Sequence, residues 1–109
     1  MNAAADSAPR TILTVDDQPA NLRVLIDCLE HHGFHVAVAL SGEEGIERAE
    51  FVRPDLILLD VQMTGMNGLE TCRRLKLNPA TRDIPVVFMT GLTNSARSMP
   101  SSPLRATAT

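Results

Sequence analysis

Several features that define common protein classes are missing from this sequence. Cysteine occurs only as Cys28 and Cys72, which is too few for a disulfide framework, and we expect both to be reduced thiols in the core. No apolar run approaches the roughly 20 residues of a membrane span, and the first residues lack an apolar stretch of signal-peptide length. The sequence therefore predicts a soluble, cytoplasmic protein with no membrane partner.

An excess of positive charge is also missing. The chain has 10 Lys and Arg residues against 13 Asp and Glu residues, a formal net charge of -3. Because a protein that binds the phosphate backbone of nucleic acids needs a basic surface, we expect no nucleic-acid partner. Hydrophobic residues make up 44% of the 109 residues, which favours one folded domain over a disordered chain.

Short apolar runs alternate with helical patterns along most of the chain. Strands are predicted at residues 12–15, 34–40, 56–59 and 84–89, separated by three helices that begin near Pro19, Ser41 and Asn67. This β-α-β-α-β-α-β order is typical of an α/β fold with a doubly wound parallel sheet and helices on both faces.

Two of the helix starts have a capping pattern. Ser41 precedes Glu44 by three residues, and Asn67 precedes Glu70 by the same spacing. In the third helix, Leu69, Cys72 and Leu75 are predicted to form the buried stripe.

Oxygen-bearing side chains follow three of the four predicted strands. Asp16 and Asp17 follow the first strand, Asp60 the third and Thr90 the fourth. Because the carboxyl ends of parallel strands meet at one edge of a sheet, we expect these groups to lie together. Three carboxylates repel one another, and an oxygen-only site of this kind suits Mg²⁺. One carboxylate could then act as a nucleophile toward a phosphoryl group, with the Thr90 hydroxyl as a donor. Each aspartate alone is better explained as a cap or turn residue, so the argument depends on their joint placement.

Three segments, ILTVDDQPANLRVL, PDLILLDVQMTGMNGLE and PVVFMTG, together resemble the receiver domain of bacterial response regulators, over residues 11 to about 92. The resemblance implies a flavodoxin-like fold, a role in two-component signal transduction and phosphorylation of Asp60 by a histidine kinase or phosphotransfer protein. It further implies that Asp17 and Asp60 bind Mg²⁺ directly, that Asp16 binds it through water, and that the backbone carbonyl of Gln62 completes the protein ligands.

By the same resemblance, Thr90 would bond the phosphoryl group and Gly91 would leave room for it. The sequence departs from the family pattern in two places. Thr64 stands where the family usually has proline, and the family's later lysine has no counterpart, because the last lysine is Lys76. We therefore predict an incomplete fold, with a disordered tail at 1–9, a receiver core at 10–93 and a coil-like tail at 94–109.

Without a recognisable fifth strand, the fourth predicted strand would have an open edge, which could mediate homo-oligomers. Two alternatives to a working receiver domain remain at this stage. One is a truncated receiver that cannot switch and serves as a binding module or is a non-functional product. The other is an Asp-nucleophile phosphatase of the haloacid-dehalogenase type, although such enzymes usually carry a D-x-D pair and this chain has adjacent Asp16 and Asp17. We expect a signalling domain, not an enzyme, with self-phosphorylation and dephosphorylation chemistry confined to Asp60.

Overall fold

Residues 9–89 are described by a computed structural model, and they follow the predicted alternation of strands and helices. Each predicted strand and helix is present, with end points that differ by at most a few residues. The elements are β1 (Thr11–Val15), α1 (Pro19–His31), β2 (His35–Ala39), α2 (Gly42–Val52), β3 (Leu56–Asp60), α3 (Gly68–Leu77) and β4 (Val86–Met89).

The four described strands form one parallel sheet in the order β2-β1-β3-β4. Side chains of a strand alternate between the two faces, so neighbouring residues of β3 enter different clusters. Ile57 and Leu59 pack on the side of α2 and α3, whereas Leu58 packs with Leu25 of α1. Helices therefore cover both faces, which confirms the doubly wound architecture.

The capping predictions are confirmed for the two cap residues, whose side chains each accept a backbone N–H of the first helical turn. The Glu44 N–H donates to Ser41 Oγ at 3.1 Å, and the Glu70 N–H donates to Asn67 Oδ1 at 2.8 Å. In a capping box, the Glu44 carboxylate would accept the N–H of Ser41. Here it accepts the N–H of the preceding residue, Leu40, at 2.7 Å. The Glu70 carboxylate instead binds two arginines of its own helix.

Two burial predictions were wrong. Leu69 is 59% exposed, because the buried stripe of α3 runs through Gly68, Thr71, Cys72 and Leu75 and each residue turns the helix by about 100°. Cys28 is exposed, because the buried side of α1 is formed by Asn21, Leu22 and Leu25. Cys72 is buried, as predicted.

Among the described residues, β4 pairs only with β3 and lies at the edge of the sheet. Val86 and Met89 are buried, while the two residues between them are half-buried. None of the helices in residues 9–89 has both the length and the apolar character that a membrane span requires.

Candidate functional site

Three carboxylates meet where β1 and β3 end. Val15 and Leu59 are paired in the parallel register, so Asp16, just after β1, and Asp60, the last residue of β3, lie at the same level of the sheet. One carboxylate oxygen from each of Asp16, Asp17 and Asp60 lies within 4.8 Å of the other two. Asp16 and Asp60 are 1% and 3% exposed, and Asp17 is half-buried. The structure thus brings together the three acidic residues that the sequence analysis selected.

Asp16 and Asp60 are each held by donors from the segment that follows them. Asp16 accepts the Gln18 N–H at 2.9 Å on one oxygen and the Asn21 side-chain amide at 3.0 Å on the other. Asp60 accepts the Gln62 N–H at 3.3 Å. The sequence analysis missed Asn21, which is 2% exposed and whose amide oxygen has no partner within residues 9–89. Its position in the first turn of α1, beside a predicted metal ligand, was the available signal.

Asp17 is held from the other loop of the site. Its Oδ2 accepts the backbone N–H of Thr64 at 2.8 Å, across 47 residues of sequence. The bond joins the turn after β1 to the loop between β3 and α3. The donor of this hydrogen bond, Thr64, is the residue that stands where the family usually has proline.

The surroundings of Asp60 raise its pKa from 3.8 to about 7. Burial is the largest cause, followed by the negative charge of Asp16; the Gln62 N–H acts in the opposite direction, and Asp17 adds a smaller repulsion. Within residues 9–89, the two charged groups that shift the pKa of Asp60, Asp16 and Asp17, are both negative. A proton or a cation relieves this repulsion, so near neutral pH the site is prepared to exchange one for the other.

Comparison with known proteins identifies this arrangement. Residues 12–106 match the response regulator receiver domain family. The chain belongs to this family. It is 47% identical over 81 residues to the response regulator PleD of Caulobacter vibrioides, an alignment that covers 74% of this chain and 18% of PleD. The chain thus spans less than a fifth of that relative.

Solved structures agree with the assignment. The N-terminal domain of a response regulator receiver protein from Methanoculleus marisnigri is 48% identical, with a TM-score of 0.74, covering 75% of this chain and 67% of that one. The signal receiver domain of a histidine kinase from Syntrophus aciditrophicus is 36% identical, with a TM-score of 0.71 and coverages of 83% and 70%.

The chain is therefore a receiver domain, a signalling module, with a flavodoxin-like α/β fold that is consistent with the incomplete one predicted. The comparisons do not favour the phosphatase or the switching-incompetent alternative. The family match continues to residue 106, whereas we predicted a core that ends at 93. Thr90, Gly91 and the predicted tails lie outside the described residues, so these boundaries and both residues' roles stay predictions.

The loop that follows β3 in this receiver domain is held close to α3 by a glycine. The Gly68 N–H donates to the Val61 carbonyl at 2.9 Å. A Cβ atom at Gly68 would lie 2.2 Å from the Asp60 carbonyl oxygen and 2.8 Å from Val61 Cα. Any side chain at position 68 would displace the backbone that carries Asp60. The sequence analysis treated Asn67 as a helix cap and Gly68 only as part of a family-like segment, and it missed this contact.

The donor set of the receiver domain fits Mg²⁺. All three charged groups are carboxylates, and hard oxygen ligands with room for water are what Mg²⁺ prefers. A cavity of about 460 Å³ opens beside them, lined by Asp17, Gln18 and the β3–α3 loop, including Gln62 and Thr64. The cavity gives water access to Asp17, whereas neither Asp16 nor Asp60 lines it.

Lys76 is engaged elsewhere in the receiver domain. Its Nζ donates to the carbonyl oxygens of Ile84 at 2.8 Å and Arg82 at 3.1 Å. These contacts tie the C-terminal turn of α3 to the segment that leads into β4. Because α3 begins beside the site and runs away from it, Lys76 stabilises the fold and does not face the carboxylates.

Proposed function

We propose that this receiver domain accepts a phosphoryl group on Asp60 with the help of Mg²⁺. The observation that carries the proposal is the meeting of three carboxylates within 4.8 Å at the ends of two adjacent buried strands. Asp60 is the one that ends β3, which lies between β1 and β4 and is apolar along its whole preceding length. Burial and the charge of Asp16 raise the pKa of Asp60 to about 7, so a cation beside this carboxylate would favour its charged form.

In the proposed reaction, an oxygen of the Asp60 carboxylate attacks the phosphorus atom of the donor. A P–O bond forms, and the bond from phosphorus to the donor's nitrogen or oxygen breaks and leaves its electron pair on the donor. Asp60 must be deprotonated to act as the nucleophile. Bound Mg²⁺ would neutralise the carboxylates and the phosphoryl oxygens together.

The metal ligands proposed here are those that the family resemblance implies. Asp17 and Asp60 would bind directly, Asp16 through water, and Gln62 through its backbone carbonyl. The half-buried position of Asp17 and the hydrogen bonds that hold Asp16 support this division, because Asp16 already uses both oxygens on protein donors. Thr90 would donate its hydroxyl to the phosphoryl group, and Gly91 would leave space for it.

The proposed phosphodonor is a histidine kinase or a phosphotransfer protein. Support comes from the relatives, which include the receiver domain of a histidine kinase. In this proposal the domain is a signalling module that accepts the phosphoryl group on Asp60. A cytoplasmic location, where such donors act, belongs to the same proposal.

Intact mass spectrometry tests the proposal. After incubation with acetyl phosphate and Mg²⁺, the protein should gain about 80 Da, and the gain should map to Asp60. Asp60→Asn should gain nothing, and EDTA should abolish the gain in the wild type. Asp83→Asn, which removes one negative charge at an exposed position, is the matched control and should behave as the wild type. A phosphoryl adduct on Asp60→Asn would refute the assignment.

A further inference from the structure

The hydrogen bond between Thr64 and Asp17 distinguishes this receiver domain from the family pattern described above. The donor is the backbone N–H of Thr64, 2.8 Å from Asp17 Oδ2. Proline has no backbone N–H, so a chain with the family's usual residue at this position cannot make the bond. The threonine therefore allows a contact that the family's usual residue could not make.

The bond reaches the least constrained of the three carboxylates. Asp16 and Asp60 are buried and accept donors from residues two to five positions later. Asp17 is half-buried, and the Thr64 N–H is the one hydrogen-bond donor to its side chain in the described part of the chain. Repulsion from the other two carboxylates favours rotation of Asp17 toward solvent. The Thr64 N–H opposes that rotation.

We propose that the Thr64 N–H positions the Asp17 carboxylate for Mg²⁺ and couples the β3–α3 loop to metal binding. The proposal rests on the metal site proposed above. A carboxylate has lone pairs on both oxygens, so Oδ2 can accept the N–H while Oδ1 stays available to the metal. Because coupling between two binding events is reciprocal, bound Mg²⁺ should strengthen the loop contact as much as the contact strengthens Mg²⁺ binding.

Two substitutions at one position separate the N–H from the side chain. Thr64→Pro removes the donor, and Thr64→Ala keeps it while it removes the hydroxyl and methyl groups. By calorimetric titration, Thr64→Pro should bind Mg²⁺ about three- to tenfold more weakly than the wild type, the range expected for one hydrogen bond. Thr64→Ala should keep the wild-type affinity. Unchanged or tighter binding by a folded Thr64→Pro variant would overturn the proposal.

Amide hydrogen exchange gives a second measurement that needs no proline variant. In metal-free protein the Thr64 amide should exchange slowly, and Asp17→Ala, which removes the acceptor, should speed its exchange. Mg²⁺ should slow the exchange in the wild type by about the same three- to tenfold factor. A Thr64 amide that exchanges equally fast in wild type and Asp17→Ala would also overturn the proposal.

These measurements distinguish the two proposals. If the wild type binds Mg²⁺ and Thr64→Pro binds it equally well, the site stands and the role of Thr64 fails. If the wild type binds no Mg²⁺, the proposed function and the coupling both fail, whatever the exchange of the Thr64 amide.

Discussion

Replacing Asp60 with asparagine should stabilise the metal-free receiver domain, and the gain should grow as the pH rises. In the folded protein, burial and the charge of Asp16 raise the pKa of Asp60 from 3.8 to about 7. Between about pH 4 and pH 7 the folded state therefore holds a proton that the unfolded state has already released. Raising the pH through this window removes that proton from the folded state and lowers the free energy of unfolding. Asparagine carries no charge and avoids this loss.

The size of the effect follows from the difference between the two pKa values. About 3 pH units correspond to about 4 kcal/mol if the whole difference acts on stability. Water in the open cleft screens the three charges, so we expect about half, or about 2 kcal/mol, above pH 8. Below about pH 4 both states hold the proton and the two proteins should differ little.

Urea denaturation in EDTA at pH 5, 6, 7 and 8 measures the difference between wild type and Asp60→Asn. Other acidic groups titrate in both proteins, so the comparison isolates Asp60. Asp83→Asn is again the control, because it removes the same formal charge from an exposed position. A gain that is the same at pH 5 and pH 8, or a loss at pH 8, would refute the electrostatic argument.

Four further predictions follow from other contacts. Gly68→Ala should lower the free energy of unfolding by about 1 to 3 kcal/mol and weaken Mg²⁺ binding, because a Cβ would meet the Asp60 carbonyl; denaturation and calorimetry would measure both. Lys76→Met should cost about 1 to 3 kcal/mol through its two lost hydrogen bonds but leave Mg²⁺ affinity unchanged, and a change in affinity would contradict its placement. Because the pKa of Asp60 is about 7, Mg²⁺ binding should release more protons at pH 6 than at pH 8, measurable by calorimetry in buffers of different ionisation enthalpy. If the outer edge of β4 mediates self-association, light scattering should show a dimer or larger species, whereas a monodisperse monomer would count against it.

The element order and the meeting of the carboxylates could be predicted because both follow from strong, local signals. The apolar run of β3 marks a strand covered on two faces, and parallel pairing then fixes which edge receives Asp60. Asp16 and Asp17 reach the same edge for the same reason. Such predictions need only the type and direction of the strands, which the pattern supplies.

The contacts that hold the site could not be predicted in the same way. Every residue except proline carries a backbone N–H, so nothing in the sequence marks the one at Thr64 as the donor to Asp17. Asn21 has a polar side chain in the first turn of a helix, where exposure is the usual expectation, yet it is buried against Asp16. The burial of Thr71 and the exposure of Leu69 depend on how α3 is rotated about its axis. The apolar pattern alone predicted a rotation that would bury Leu69, and this prediction was wrong.

Because the site is rigid, the repulsion among its carboxylates must be relieved by binding a proton or a cation. A flexible cluster of carboxylates lowers its energy when the side chains turn away from one another. Asp60 has little freedom to do so, because its strand is paired on both sides and Gly68 packs directly against its carbonyl. The repulsion is instead relieved by a proton or a cation. A phosphoryl group adds further negative charge at the same place, so phosphorylation of Asp60 increases the need for the metal. In the proposed function, the packing that fixes the carboxylates would thus make the binding of a proton, Mg²⁺ and a phosphoryl group depend on one another.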